Sequence, residues 1–144
     1  MIDGTQAEYV RTPYADNSLV PLPDNVNEEV ALLLSDALPT AHELGVQYGD
    51  VKPGDTVFIA GAGPVGMSAL LTAQQYSPAA ILVCDMDENR LKLAIELGAT
   101  HTINPASGDV SKQVAAIVGE DGVDCAIEAV GIPATWNMCQ DIVK

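Results

Sequence analysis

The feature that most constrains this chain is six residues long: Gly61-Ala62-Gly63-Pro64-Val65-Gly66. It follows the apolar run Thr56-Val57-Phe58-Ile59-Ala60 and opens the helix-forming run Met67-Ser68-Ala69-Leu70-Leu71-Thr72-Ala73. A lone hexamer of this kind arises by chance in turns and linkers, but between a strand and a helix each glycine has a task. Gly61 permits a tight turn off the strand, Gly63 lets the backbone approach a diphosphate with no side chain intervening, and Gly66 lets the helix lie close to the sheet. The anion would sit at the helix N-terminus, where unpaired amides and the helix dipole favour negative charge. Pro64 has no amide hydrogen, which leaves Val65 as the leading donor. The competing reading is a plain strand-to-helix turn in some other α/β protein.

Asp85 ends the next apolar run, Ile81-Leu82-Val83-Cys84. It lies at the separation of about 20 residues expected of an acid that accepts ribose hydroxyls. A carboxylate there suits NAD and repels the extra phosphate of NADP. Its competing role is a helix cap; Arg90, just beyond, reaches either the adenosine ribose or the helix surface. Farther on, Ile127-Glu128 leads into Ala129, Val130 and Gly131. Ligands of open parallel sheets collect beyond the carboxyl ends of strands where the strand order reverses, so the backbone of these three is expected to meet the nicotinamide half. An ordinary strand exit is the alternative.

From Lys52-Pro53-Gly54-Asp55 onward, strand and helix patterns alternate, which predicts an α/β fold with a Rossmann-type parallel sheet. Strands are expected at 56–60, 81–85, 101–103 and 124–129, with helices beginning near Pro64, Glu88 and Val110 and another after Pro133. Leu91, Ala94 and Ile95 fall on one helix face, and Gly98 is placed for a left-handed C-terminal cap. Before this region, 7–20 reads as strand or coil. Asn27-Glu28-Glu29 suits a helix start, and Pro39 forces a break across 35–38 before a second helix towards Tyr48. The expected organisation is a tail of another domain over 1–26, a helical connection over 27–50 and a truncated dinucleotide domain over 51–144. A complete dinucleotide fold has about six strands. Four are expected here, with none after the last helix, so the reading is of a fragment.

The formal net charge of −14 repels phosphate backbones and anionic headgroups, which argues against nucleic-acid and membrane partners. No apolar run approaches the roughly 20 residues of a membrane span. Met1-Ile2-Asp3-Gly4 lacks the basic, apolar character of a secretory signal, and a cytoplasmic location is expected. Cys84, Cys125 and Cys139 have no Cys-x-x-Cys spacing and read as small buried hydrophobes rather than a disulfide or zinc framework.

Together these segments resemble the zinc-containing medium-chain alcohol dehydrogenases over nearly the whole chain. The likeness runs from Ala7-Glu8-Tyr9-Val10 to Pro23-Asp24, similar to the end of that family's GroES-like catalytic domain. It continues through Val51-Lys52-Pro53-Gly54-Asp55 to Gly66, and through Leu97-Gly98-Ala99-Thr100 to Glu128-Ala129-Val130-Gly131. The resemblance implies reversible alcohol oxidation, with hydride moving between an alcohol and NAD while zinc polarises the oxygen. It implies an aldehyde or ketone as the other substrate and a homo-oligomeric parent. It makes Asp36, in Ser35-Asp36-Ala37-Leu38-Pro39-Thr40, a candidate zinc ligand and puts Thr40 near nicotinamide and substrate. From the residues alone, Asp36 reads as a cap for the helix at Pro39 in preference to a ligand, and the resemblance brings the two readings level. Zinc needs three protein ligands and an open position, so this chain alone is expected neither to hold it tightly nor to turn over. His42 and His101 read as structural. Two rivals remain: a zinc-free reductase of the quinone-reductase kind, and a non-enzymatic dinucleotide-binding module.

Overall fold

The computed structural model describes residues 4–144, so the first three residues of the expected N-terminal tail lie outside the described part. The chain divides into two compact units, one ending at Leu32 and the other spanning Leu33–Lys144.

The first unit is mostly extended and turn-rich, with two single-turn helices, α1 (Ala15–Ser18) and α2 (Glu28–Ala31). The α1 turn departs from the expected strand or coil. Tyr14 enters the left-handed region at φ 52°, and Ser18 Oγ closes back on the Pro13 carbonyl at 3.0 Å, so local side-chain bonding wins over extension. Asn27 caps α2 as expected, accepting from the amides of Glu29 (2.7 Å) and Val30 (3.4 Å).

In the second unit, a 3₁₀ segment (Leu32–Ser35, whose first residue belongs to the preceding unit) gives way to α3 (Ala37–Thr40) and then a π-helical run (Ala41–Gln47). The expected break therefore narrows to Asp36, because Pro39 lies within the first turn of α3, where no helical donor is required of it. Then come β1 (Thr56–Ala60), α4 (Pro64–Ala73), β2 (Ala80–Cys84), α5 (Glu88–Glu96), β3 (His101–Ile103), α6 (Val110–Val118), β4 (Cys125–Glu128) and α7 (Pro133–Ile142). The strands form one parallel sheet in the order β3-β2-β1-β4. The order reverses at β1, which fits the expected Rossmann-type arrangement. Val143 and Val123 also form a parallel bridge, with the Val123 amide donating to Ile142 O at 2.9 Å and the Lys144 amide to Val123 O at 3.0 Å. Strand pairing on the outer edge of β4 thus begins where the sequence reading had only a helix.

The strands carry apolar side chains on both faces, as a sheet covered on both sides requires. Val57, Ile59, Ile81, Val83 and Ile127 pack with Val46 of the π-helix, Ala69, Leu70 and Ala73 of α4, and Ala94 of α5. Phe58, Ala60, Leu82, Cys84 and Ile103 pack with Val110 and Val114 of α6 and Cys139 and Ile142 of α7. Leu91 and Ala94 are buried, whereas Ile95, expected beside them, is half exposed. Gly98 adopts φ +107° and its amide bonds Ile95 O, with Ala99 N reaching Ala94 O, which is the expected left-handed cap.

Candidate functional site

The glycine turn leaves β1 at Gly61, whose φ of +100° is unfavourable for any residue with a Cβ. A side chain there would also meet Val130 Cγ2 at 2.8 Å. At Gly66 a Cβ would collide with the Gly61 carbonyl oxygen. Gly66 is therefore required by the turn folding back on itself, and only secondarily by helix-to-sheet packing. Gly63 has open space where its Cβ would be. It is the N-terminal flank of α4, Pro64 begins that helix, and no side chain caps it, which leaves the first-turn amides of Val65 and Gly66 without a side-chain acceptor.

Asp85 is joined to this turn. Its Oδ2 accepts from the Ala62 amide at 2.7 Å and its Oδ1 from the Asp87 amide at 2.9 Å, while Arg90 Nη1 lies 3.8 Å from Oδ2. The cap of α5 is Asp87, which accepts from Asn89 and Arg90 amides, so the capping alternative for Asp85 does not apply. A carboxylate offers about four acceptor directions, so two amide bonds leave Asp85 capacity for hydroxyl donors. Its side chain retains 13% exposure and lines a cleft of about 490 Å³. That cleft also takes in Gly61, Gly63, Arg90, Ala129 and Val130, which brings together six of the residues singled out from sequence.

Ala129 and Val130 thus share a cleft with Asp85, the candidate ribose acid. Their backbone donors are also spent: the Ala129 amide bonds Ala60 O at 2.9 Å, and those of Val130 and Gly131 each bond Glu128 Oε1 at 2.9 Å. What this turn can present to a ligand is carbonyl oxygen and the Val130 side chain. Glu128, which carried no role in the sequence analysis, also accepts the Thr135 hydroxyl at 2.7 Å. Burial, the largest influence, pushes its carboxyl upward, but the Thr135 hydroxyl and the Gly131 and Val130 amides outweigh it and hold it below the ordinary carboxylate value.

A second groove, about 570 Å³, takes in Thr40, Leu44, Tyr48, Val65, Glu128 and Trp136. The first turn of α4 contributes Gly63 to one cleft and Val65 to the other. Asp36 is exposed, caps no backbone amide of α3, and accepts the Thr40 hydroxyl on Oδ1 at 2.7 Å. Among the described residues no three His, Cys, Asp or Glu side chains come together as a metal site. These residues alone do not fit a zinc ion, and no chemical step is derived through one. His42 Nε2 lies 2.9 Å from the Tyr76 hydroxyl, and His101 is exposed beside Thr100. The three cysteines are free and buried; burial pushes the Cys84 thiol up to about 12 and those of Cys125 and Cys139 up to about 11. Among the described residues no helix is long and apolar enough to cross a membrane.

A family model described as zinc-binding dehydrogenase matches residues 64–144. The chain is 36% identical, over its whole length, to an alcohol dehydrogenase of Cupriavidus necator, spanning 39% of that protein. It is 43% identical to a glutathione-independent formaldehyde dehydrogenase of Pseudomonas aeruginosa, with 91% of this chain covering 34% of that one. Among solved structures, a zinc-dependent alcohol dehydrogenase of Streptococcus pneumonia superposes with a TM-score of 0.91 at 49% identity, over 98% of this chain and 40% of the other. The chain therefore spans between about a third and two fifths of these proteins, and with a family match over more than half its length and a shared α/β fold, it belongs to the zinc-binding dehydrogenases.

Proposed function

We propose that this chain is the NAD-binding portion of a zinc-dependent dehydrogenase that moves hydride between an alcohol and its aldehyde or ketone. The observation that carries the reading is the 2.7 Å bond between Asp85 and the Ala62 amide, which joins the ribose-accepting carboxylate to the glycine turn on the wall of one cleft. In this reading Asp85, flanked by Arg90, takes the adenosine ribose hydroxyls, and Ala129 and Val130, with Gly131 behind them, form the opposite wall. The diphosphate lies over Gly63 and the N-terminus of α4, where Val65 and Gly66 donate and Pro64 does not. The nicotinamide half then enters the groove that holds Thr40 and Val65. NAD supplies the hydride acceptor; the chain binds it, orients it and lines its path with apolar side chains.

Asp36 is assigned as one ligand of a zinc ion whose remaining ligands lie elsewhere in the whole protein; its Oδ2, not engaged by Thr40, is the oxygen free for that purpose. The whole protein is assigned as a homo-oligomer, located in the cytoplasm, without a nucleic-acid or membrane partner.

Titrating ¹⁵N-labelled chain with NAD tests the reading. Shifts are expected at the amides of Gly61, Ala62, Gly63, Val65 and Gly66, of Ala129–Gly131, and of Asp85. Shifts confined to other parts of the fold would overturn it.

A further inference from the structure

Glu128 sits at the carboxyl end of β4, between the two clefts. Its own side chain lines the groove that holds Thr40, while two of its hydrogen-bond partners, Val130 and Thr135, line the cleft that holds Asp85. The carboxylate accepts from Val130 N, Gly131 N and the Thr135 hydroxyl, and Gly131 reaches both oxygens, at 2.9 and 3.1 Å. Thr135 stands in the first turn of α7, whose N-terminal flank, Ile132, provides no side-chain cap. One carboxylate therefore ties the end of a strand, a tight turn with Gly131 at φ +86°, and the start of a helix. That turn abuts the glycine turn, since a Cβ on Gly61 would meet Val130 Cγ2 and Ala129 O.

The Val130 and Gly131 amides point at Glu128, the Thr135 hydroxyl lies between Glu128 Oε1 at 2.7 Å and Ile132 O at 3.0 Å, and the carboxylate itself donates nothing. The arrangement calls for an acceptor-only side chain with two oxygens. Glutamine keeps one acceptor but turns an NH₂ group against the Gly131 amide.

We propose that Glu128 is a positioning residue for the adenosine pocket, holding Val130 at the fixed distance across the cleft from Asp85 that an adenosine fills. The inference rests on the dinucleotide reading above. It requires that loss of the carboxylate weaken ligands carrying adenosine and leave the glycine turn's hold on diphosphate unchanged.

The test compares the chain with its Glu128→Gln variant, using ligand-observed NMR titrations with AMP, ADP-ribose and inorganic pyrophosphate. About a fivefold to tenfold loss is expected for AMP and ADP-ribose, a range that corresponds to roughly 1–1.4 kcal/mol. Pyrophosphate affinity should remain within twofold. Equal weakening of all three ligands would reduce Glu128 to a general stabiliser and overturn the proposal, as would unchanged AMP affinity. Failure of the parent chain to bind AMP or ADP-ribose would instead remove the dinucleotide reading, and the proposal with it. Should Glu128→Gln not fold, Thr135→Val, which removes one donor and keeps both amide bonds, carries the same comparison with a loss of about threefold for adenosine ligands, or under 1 kcal/mol. No loss there, in a folded variant, overturns the proposal.

Discussion

Asp85 carries two roles that substitution can separate. Its carboxylate holds the glycine turn through the amide of buried Ala62, and its remaining acceptor capacity is what the proposed function assigns to the ribose. Asp85→Ala leaves the Ala62 donor unsatisfied, which costs about 1–3 kcal/mol. Asp85→Asn retains one carbonyl acceptor for the Ala62 amide but turns an NH₂ group against the Asp87 amide, so its loss, read by urea denaturation, should be smaller than that of the alanine variant without vanishing. Equal loss in both would show that the negative charge, rather than the hydrogen bond, holds the turn. At Gly66 the expectation is harsher. Gly66→Ala drives a methyl into the Gly61 carbonyl and should lower stability by about 1–3 kcal/mol as overpacking does, detectable as a lower melting temperature. An unchanged melt would contradict the backbone arrangement of the turn. These residues were legible in sequence because their backbone geometry allows few alternatives. Glu128 was not. Its contacts are local, reaching residues two, three and seven positions on, yet an acid at the end of an apolar strand reads as an exposed strand residue until the turn at Gly131 folds back over it.

At the scale of elements, the alternation of strands and helices was readable because each apolar run is short and followed by a turn residue and a helix start. The observed strands fall within one residue of expectation at each end. The π-helical run was not readable, since its apolar spacing differs little from that of an ordinary helix and the close packing of Gly45 and Gly49 against β4 arises only in the fold. The edge pairing at Val143 was hidden for a related reason: two residues are too few to register as a strand pattern.

Asp124 joins the starts of β1 and β4. It accepts the Thr56 amide at 2.8 Å and Lys144 Nζ at 2.9 Å, and these two, the amide first, hold its carboxyl below the ordinary value. An acid depressed on folding contributes stability that is present above its unfolded value, about 3.9, and lost as pH falls through the folded one. The stability difference between the chain and Asp124→Asn, from urea denaturation, should therefore be flat from about pH 7 to 5 and shrink towards about pH 3. A difference that grows on acidification would contradict this assignment.

Over the whole molecule, a net charge of −14 opposes an anionic ligand, while the donors that favour it act only at contact range. Raising ionic strength from about 0.01 to 0.15 M shortens the screening length from about 30 to 8 Å, which weakens the distant repulsion more than the contacts. NADH affinity should therefore rise with added salt over that range; a fall would mean that a local cation cluster governs binding. The cysteines, whose apolar surroundings were legible in sequence, should resist a disulfide-exchange reagent at pH 8 in the native chain and react fully in denaturant. The metal question was not resolvable from this sequence, because Asp36 meets no second and third ligand among the described residues.

The central claim is that a carboxylate-marked cleft beside a glycine turn binds NAD. Fluorescence titrations of the chain with NADH and NADPH, repeated on Asp85→Asn, test it most directly. The expected result is saturable binding of NADH, at least about tenfold weaker binding of NADPH because its extra phosphate meets the Asp85 charge, and a narrower gap in the variant. Equal or reversed preference in the parent chain, or no saturable binding of either nucleotide, would contradict it.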